Sequence, residues 1–112
     1  MKSIDWYVYI LSNRTHRLYV GCTNDLPRRY REHVEHKHPQ AFTARYTYNR
    51  LVYYEVLPAE NVALKRERQI KSWSRAKRVA LIQAMNPNWY DLSRKWHRML
   101  RADQRHHREC QR

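Results

Sequence analysis

Tyr9, Tyr19, Gly21, Arg29 and His33 lie within 25 residues of one another in a chain of 112 residues that carries a net charge of +13. These residue types suit phosphodiester hydrolysis. That reaction needs a base to take a proton from water and a cation to meet the charge that develops on the phosphate. The phosphate must also be positioned and its leaving oxygen stabilised. An arginine fork grips non-bridging oxygens two at a time. A tyrosine serves as base only when a neighbouring cation or a metal-bound water lowers a pKa that is about 10 in the free side chain. A carboxylate suits Mg2+, which prefers oxygen ligands and often takes only one or two from protein. Gly21 is the chain's only glycine, against about 7% in average chains. A lone retained glycine marks a backbone position where no side chain fits, through positive φ or close approach of another group.

Each residue also has an ordinary explanation. Tyr9 and Tyr19 read as strand aromatics. Arg29 is one of three arginines in Arg28-Arg29-Tyr30-Arg31, and His33 is one of seven histidines. Glu67 sits in Lys65-Arg66-Glu67-Arg68, where a surface ion pair is the common outcome. The weight rests on the joint spacing: ten residues from Tyr9 to Tyr19, eight from Gly21 to Arg29, four from Arg29 to His33.

The elements that must position this set are legible. Trp6 to Leu11 is aromatic and β-branched and reads as a strand, Ser12 to His16 as a turn, and Arg17 to Val20 as a second strand. The two form a hairpin that brings Tyr9 and Tyr19 near each other at its open end. Thr23, Asn24 and Asp25 are N-cap candidates, and Pro27 suits the first turn of a helix from Leu26 to about Lys37. Arg29 and His33, four apart, share a face of it. Residues 38–48 read as a loop and Leu51 to Val56 as a third strand. Pro58 opens a helix from Ala59 to Ser72, and Ser74 caps another to about Ala84. On the first of these, Val62, Ala63, Ile70 and Trp73 form one apolar arc with Glu67 at its flank, and Arg66 falls inexplicably near its middle. Trp89-Tyr90-Asp91-Leu92 is expected to pack back onto the core.

The length fits one domain. Four Trp and nine Tyr, with a single Phe, supply much of the core, since each buried ring covers roughly 150–250 Å². Of the net charge, +8 falls on residues 1–93 and +5 on residues 94–112, where seven Lys and Arg face two acids. A basic body with a basic tail points to a polyanion, nucleic acid above all. The tail reads as a basic helix or a flexible arm. Cys22 and Cys110 are too few for a disulfide scaffold or a zinc site, and Cys22 reads as a small buried hydrophobe. The apolar run from Trp6 to Leu11 is too short for a signal peptide or a membrane span, so a cytoplasmic protein is the expectation.

Tyr7-Val8-Tyr9, Tyr19-Val20-Gly21, Thr23-Asn24-Asp25-Leu26-Pro27-Arg28-Arg29 with His33, and the later Ala63 to Lys71 together resemble the GIY-YIG nuclease domain. The similarity is to small stand-alone bacterial members akin to the N-terminal nuclease domain of excinuclease C, a DNA-repair setting. The first tripeptide departs from the family pattern, lacking its glycine and isoleucine. The resemblance implies an α/β fold, a central three-stranded antiparallel sheet flanked by helices in the order β-β-α-β-α-α, over residues 1–93. It implies a metal-dependent DNA endonuclease acting on single-stranded, branched or duplex DNA. Tyr9 would be the general base, Tyr19 its hydrogen-bonding companion, Arg29 the phosphate clamp and His33 an assistant. Glu67 would be the protein ligand of one Mg2+, with Mn2+ as a substitute, and Gly21 would allow close approach. Arg28, Arg31, Lys37, Arg45 and Lys71 are candidate nucleic-acid contacts, and no small-molecule cofactor or membrane is implied. The alternatives are a nucleic-acid-binding module, for DNA or RNA, that keeps the fold but cuts poorly, and an RNA-binding protein. Phe42, Tyr46, Tyr48 and Trp96 would stack unpaired bases in the latter, against the favoured reading of them as core and loop packing.

Overall fold

The structure, a computed structural model, describes residues 5–35 and 48–94. Three strands, β1 (Trp6–Ser12), β2 (Leu18–Thr23) and β3 (Arg50–Leu57), form one antiparallel sheet in the order β2-β1-β3. Three helices complete the expected order: α1 (Leu26–Val34) after β2, then α2 (Glu60–Ser72) and α3 (Arg75–Met85) after β3. The α/β class and the antiparallel three-stranded sheet are as the sequence implies.

Side chains alternate across the sheet as a two-residue period requires. Val8, Ile10 and Val20 pack with Ala63 and Ile70 of α2 and Ile82 of α3 on one face. Tyr9, Leu11 and Leu51 pack with Leu26 and Tyr30 of α1 on the other. A bulge breaks the alternation on β3, where the register passes from Ile10↔Tyr53 to Leu11↔Leu51 and leaves Val52 as an extra residue. Val52 and Tyr53 therefore join the same cluster on the α2–α3 face.

Several boundaries differ from the sequence reading. Strand β2 does not stop at Val20 but runs through Gly21 and Cys22 to Thr23, because the glycine accommodates a neighbour's ring without turning the chain. Val62 is 40% exposed rather than part of the buried arc of α2, which Ala63 and Ile70 hold. Arg66 takes the middle of that face because Glu55, projecting from β3, receives it. Arg66 Nε lies 3.0 and 3.1 Å from the two Glu55 carboxylate oxygens, and Nη2 lies 2.8 Å from Oε2. Tyr53 Oη also donates to Glu55, and Arg66 lies over the Trp73 ring at 5.1 Å.

Local chemistry sets the connections. Asn13 Oδ1 accepts from the backbone N–H of Thr15 at 3.0 Å and of Arg17 at 2.9 Å, organising the β1–β2 turn. Asp25 caps α1 by accepting from Arg28 N–H, and Ser74 caps α3 by accepting from Lys77 N–H. The segment after α3 returns to β3, as expected of residues 89–92. Asn86 Nδ2 donates to the Val52 carbonyl at 3.1 Å, Leu92 N–H donates to the Leu51 carbonyl at 2.8 Å, and Leu51 N–H donates to Asp91. The candidate contacts Lys37 and Arg45, and the aromatics Phe42, Tyr46 and Trp96, lie outside the described residues, as do Cys110 and all of the tail but Arg94.

Candidate active site

Four of the predicted residues converge on the α1 face of the sheet. Tyr9 stands in the middle of β1 opposite Gly21, and Tyr19, two residues back along β2, projects to the same side. The tyrosine pair thus sits mid-ladder rather than at the open end of the hairpin, with ring centroids 6.3 Å apart. From α1, His33 reaches down so that its Nε2 lies 3.0 Å from Tyr9 Oη. The imidazole is edge-on to both rings, 5.9 Å from Tyr9 and 4.8 Å from Tyr19. Tyr9 is 1% and His33 6% exposed. Tyr48 is buried against Tyr19, with centroids 6.0 Å apart. It is core, not a base-stacking surface.

Gly21 explains how Tyr9 fits. Its φ is not positive; the reason for glycine is close approach. A Cβ at this position would stand 2.5 Å from Tyr9 Oη, 2.6 Å from Tyr9 Cζ and 3.1 Å from Tyr19 Cε1. The phenol lies across the bare backbone of β2.

Arg29, one helical turn before His33 on α1, lies close enough to Tyr9 for its charge to act on the phenol. Burial pushes the Tyr9 phenol well above its ordinary pKa and the Tyr19 phenol adds to this, while Arg29 pulls it partly back. Arg29 is in turn held protonated by Tyr9, Tyr19 and Glu32 against the effect of burial. Its Nη1 lies 3.7 Å from Glu32. Arg28 faces outward, with its side chain 64% exposed beside Asp25 and Glu32. Arg31 is exposed on the same helix.

Glu67 belongs to α2, on the other side of the sheet, and meets the edge strand β2 at Cys22, the neighbour of Gly21. Burial raises its pKa, but the Cys22 thiol and Lys71 outweigh burial and hold the carboxyl below its usual range. Lys71 Nζ stands 2.6 Å from Glu67 Oε1. The Cys22 thiol is pushed up to about 12 by burial and by Glu67, which makes it a poor nucleophile. Sequence reasoning does not foresee that Cys22 and Lys71 both engage this carboxylate, although Glu67 and Lys71 stand at the i, i+4 spacing that brings opposite charges together. A divalent ion fits the donor set: an ionised, half-buried carboxylate already faces a cation, and Mg2+ asks for no more than one or two such ligands. Among the described residues, no group of three or more His, Cys, Asp or Glu side chains could hold a metal ion.

The profile of the GIY-YIG catalytic domain matches residues 5–80. The chain belongs to the GIY-YIG family. GIY-YIG domains are as a rule those of endonucleases, so nucleic acid is the general class of substrate. The GIY-YIG chain is 38% identical over 81 residues to a UPF0213 protein of Syntrophus aciditrophicus, covering 72% of this chain and 92% of that protein. It is 39% identical over 82 residues to one of Natronomonas pharaonis, covering 70% and 91%. It is also similar to the solution NMR structure of a UPF0213 protein of Bacillus halodurans, at 29% identity and a TM-score of 0.51, covering 78% of this chain and 92% of that one. Among the described residues, no helix is long and apolar enough to cross a membrane.

Proposed function

We propose that this GIY-YIG protein is a divalent-metal-dependent DNA endonuclease in which Tyr9 and His33 act as one proton-accepting unit. The supporting observation is the 3.0 Å contact between Tyr9 Oη and His33 Nε2. A phenol whose pKa is raised by burial is a weak base by itself at neutral pH. With His33 as the Nδ1–H tautomer, Nε2 accepts the Tyr9 proton while the phenol oxygen takes one from the attacking water. The water oxygen bonds to phosphorus, and the bond to the leaving oxygen breaks. Arg29, whose charge acts on the same phenol, would meet the charge growing on the non-bridging oxygens. Tyr19 packs edge-on against the imidazole and keeps its orientation. Glu67 would hold Mg2+, or Mn2+ in its place, which when bound supplies positive charge for the leaving oxygen. Arg28, Arg31 and, once released from Glu67, Lys71 offer contacts to the DNA backbone.

The test is cleavage of single-stranded, duplex and branched DNA, and of RNA, by purified protein with Mg2+, Mn2+ or EDTA. Cleavage of at least one DNA that EDTA abolishes is expected, with single-stranded or branched substrates favoured. Binding without cleavage under every condition would leave the protein a nucleic-acid-binding module on the nuclease fold. Cutting of RNA alone would replace the DNA assignment.

A further inference from the structure

The segment that returns from α3 to β3 carries an open groove of about 560 Å³, far along the chain from the catalytic motifs. Arg50, the first residue of β3, and Arg94 are both exposed and both line it. The groove's one acid, Asp91, has its carboxylate lodged against the backbone N–H groups of Leu51 and Ser93 and the hydroxyls of Tyr30 and Ser93. With Asp91 so engaged, the lining of the groove carries a net positive charge from Arg50 and Arg94.

Tyr90 stands in this groove with 67% of its surface exposed, the most of any large hydrophobic residue among those described. Its backbone is not loose. Buried Asn86 accepts from Tyr90 N–H at 3.0 Å and donates to the Tyr90 carbonyl at 2.8 Å, so the phenol projects from a clamped main chain. Beside it, Trp89 stacks on His16 of the β1–β2 turn, with centroids 4.7 Å apart and planes 13° from parallel. Both of these residues have left-handed backbones, with φ of 55° and 61°. Bulky side chains rarely adopt that conformation, and such strain is retained where a surface must be presented in a set way.

We infer that this groove binds a single-stranded segment of nucleic acid, with one base stacked on Tyr90 and flanking phosphates on Arg50 and Arg94. An exposed aromatic ring on a clamped main chain, in a groove that also holds two cations, is the arrangement that single strands use, because every unpaired base offers a face. A duplex hides its bases and would gain from the arginines alone. The groove also connects to the catalytic cluster: Tyr30, adjacent to Arg29 on α1, bonds both Asp91 and the Asn49 carbonyl. A strand lying here would be anchored through one rigid contact to the helix that carries Arg29 and His33. The inference rests on the protein handling nucleic acid and does not require that it cut.

The experiment is fluorescence anisotropy of the full-length protein, in EDTA, with labelled 12-nucleotide single-stranded DNA and RNA and a matched duplex. Tyr90→Ala should weaken single-strand binding roughly 10-fold, the size of one lost stacking contact, and leave duplex binding unchanged, while Tyr90→Phe retains affinity. Arg50→Ala with Arg94→Ala should lower the salt slope on single strands by about 0.7 for each contact removed, whereas Arg75→Ala on α3 should not lower single-strand affinity. A preference between the DNA and RNA arms names the strand. Parent protein that binds no nucleic acid would sink the general reading of function. A parent that binds while Tyr90→Ala binds equally well would sink the groove alone. NOEs from Tyr90 to residues 95–112 in the free protein would make the chain's own C-terminal segment the occupant, and would overturn the inference too.

Discussion

Gly21 lies directly across the β1–β2 ladder from Tyr9, and the Tyr9 phenol occupies the space that a side chain at Gly21 would need. Gly21→Ala places a methyl 2.5 Å from Tyr9 Oη, so the ring must leave His33 or the strands must part. We expect cleavage to be lost and stability to fall by about 1–3 kcal/mol, the range of overpacked cores. Thermal unfolding and a cleavage assay check both. Near-normal activity in a stable variant would mean that Tyr9 can work from another position.

The coupling of Tyr9 to His33 predicts a pH signature. Burial raises the Tyr9 pKa, so a phenol acting alone would become a good base only under alkaline conditions. His33→Gln should therefore be severely slowed at neutral pH and should recover as pH rises, whereas Tyr9→Phe should stay slow throughout. Parallel pH–rate profiles for His33→Gln and the parent would remove His33 from proton transfer.

Arg29→Ala should cut turnover by roughly 10²–10³, the loss typical of one preorganised charge-stabilising donor. Arg28→Ala, which removes an outward-facing charge, should mostly raise the DNA concentration required. Single-turnover rates at saturating DNA separate the two. Equal losses of turnover would reduce the arginine cluster to a charge patch.

Under the metal reading, Glu67→Gln should abolish metal-dependent cleavage while fold and DNA binding persist. Lys71 competes with any cation for the same oxygens, being 2.6 Å from Glu67 Oε1. Lys71→Met should tighten Mn2+ binding about two- to five-fold, the worth of an exposed pair of about 0.3–1 kcal/mol. Mn2+ titration followed by EPR reads both variants without any DNA. Unchanged Mn2+ affinity in Glu67→Gln would move the metal elsewhere.

The Glu55–Arg66 pair bears on stability. Burial raises the Glu55 pKa, but Arg66 and Tyr53 outweigh burial and lower it. A depressed folded pKa stabilises above the unfolded value of about 4.3, and that stability is lost as pH falls through the folded value. Glu55→Gln should cost about 1–3 kcal/mol at neutral pH and flatten the acid limb of a stability–pH curve measured by urea unfolding.

The hairpin, the Asp25 and Ser74 caps and the shared face of Arg29 and His33 are legible in the sequence because each depends on neighbours a few residues away. A two-residue period is enough to put Tyr9 and Val8 on opposite faces. The same period fails around Val52, where one inserted residue shifts the phase and no glycine or proline marks it. A helical wheel likewise sees Arg66 as an intruder in an apolar arc, since its partner Glu55 stands on a strand eleven residues earlier. The Cys22–Glu67 contact crosses from β2 to α2, and only the assembled sheet edge brings these residues together.

The return of residues 86–92 onto Leu51 and Val52 has a consequence for how much chain is needed to keep the domain soluble. Strand β3 is an outer strand, and its bulged start would otherwise present bare N–H and C=O groups to solvent. Asn86, Asp91 and Leu92 occupy three of them. A chain stopped after Met85 would keep β1 to β3 and α1 to α3 but leave that edge open as a template for pairing with a second molecule. Such a fragment should self-associate through β3 at concentrations where the longer chain remains monomeric.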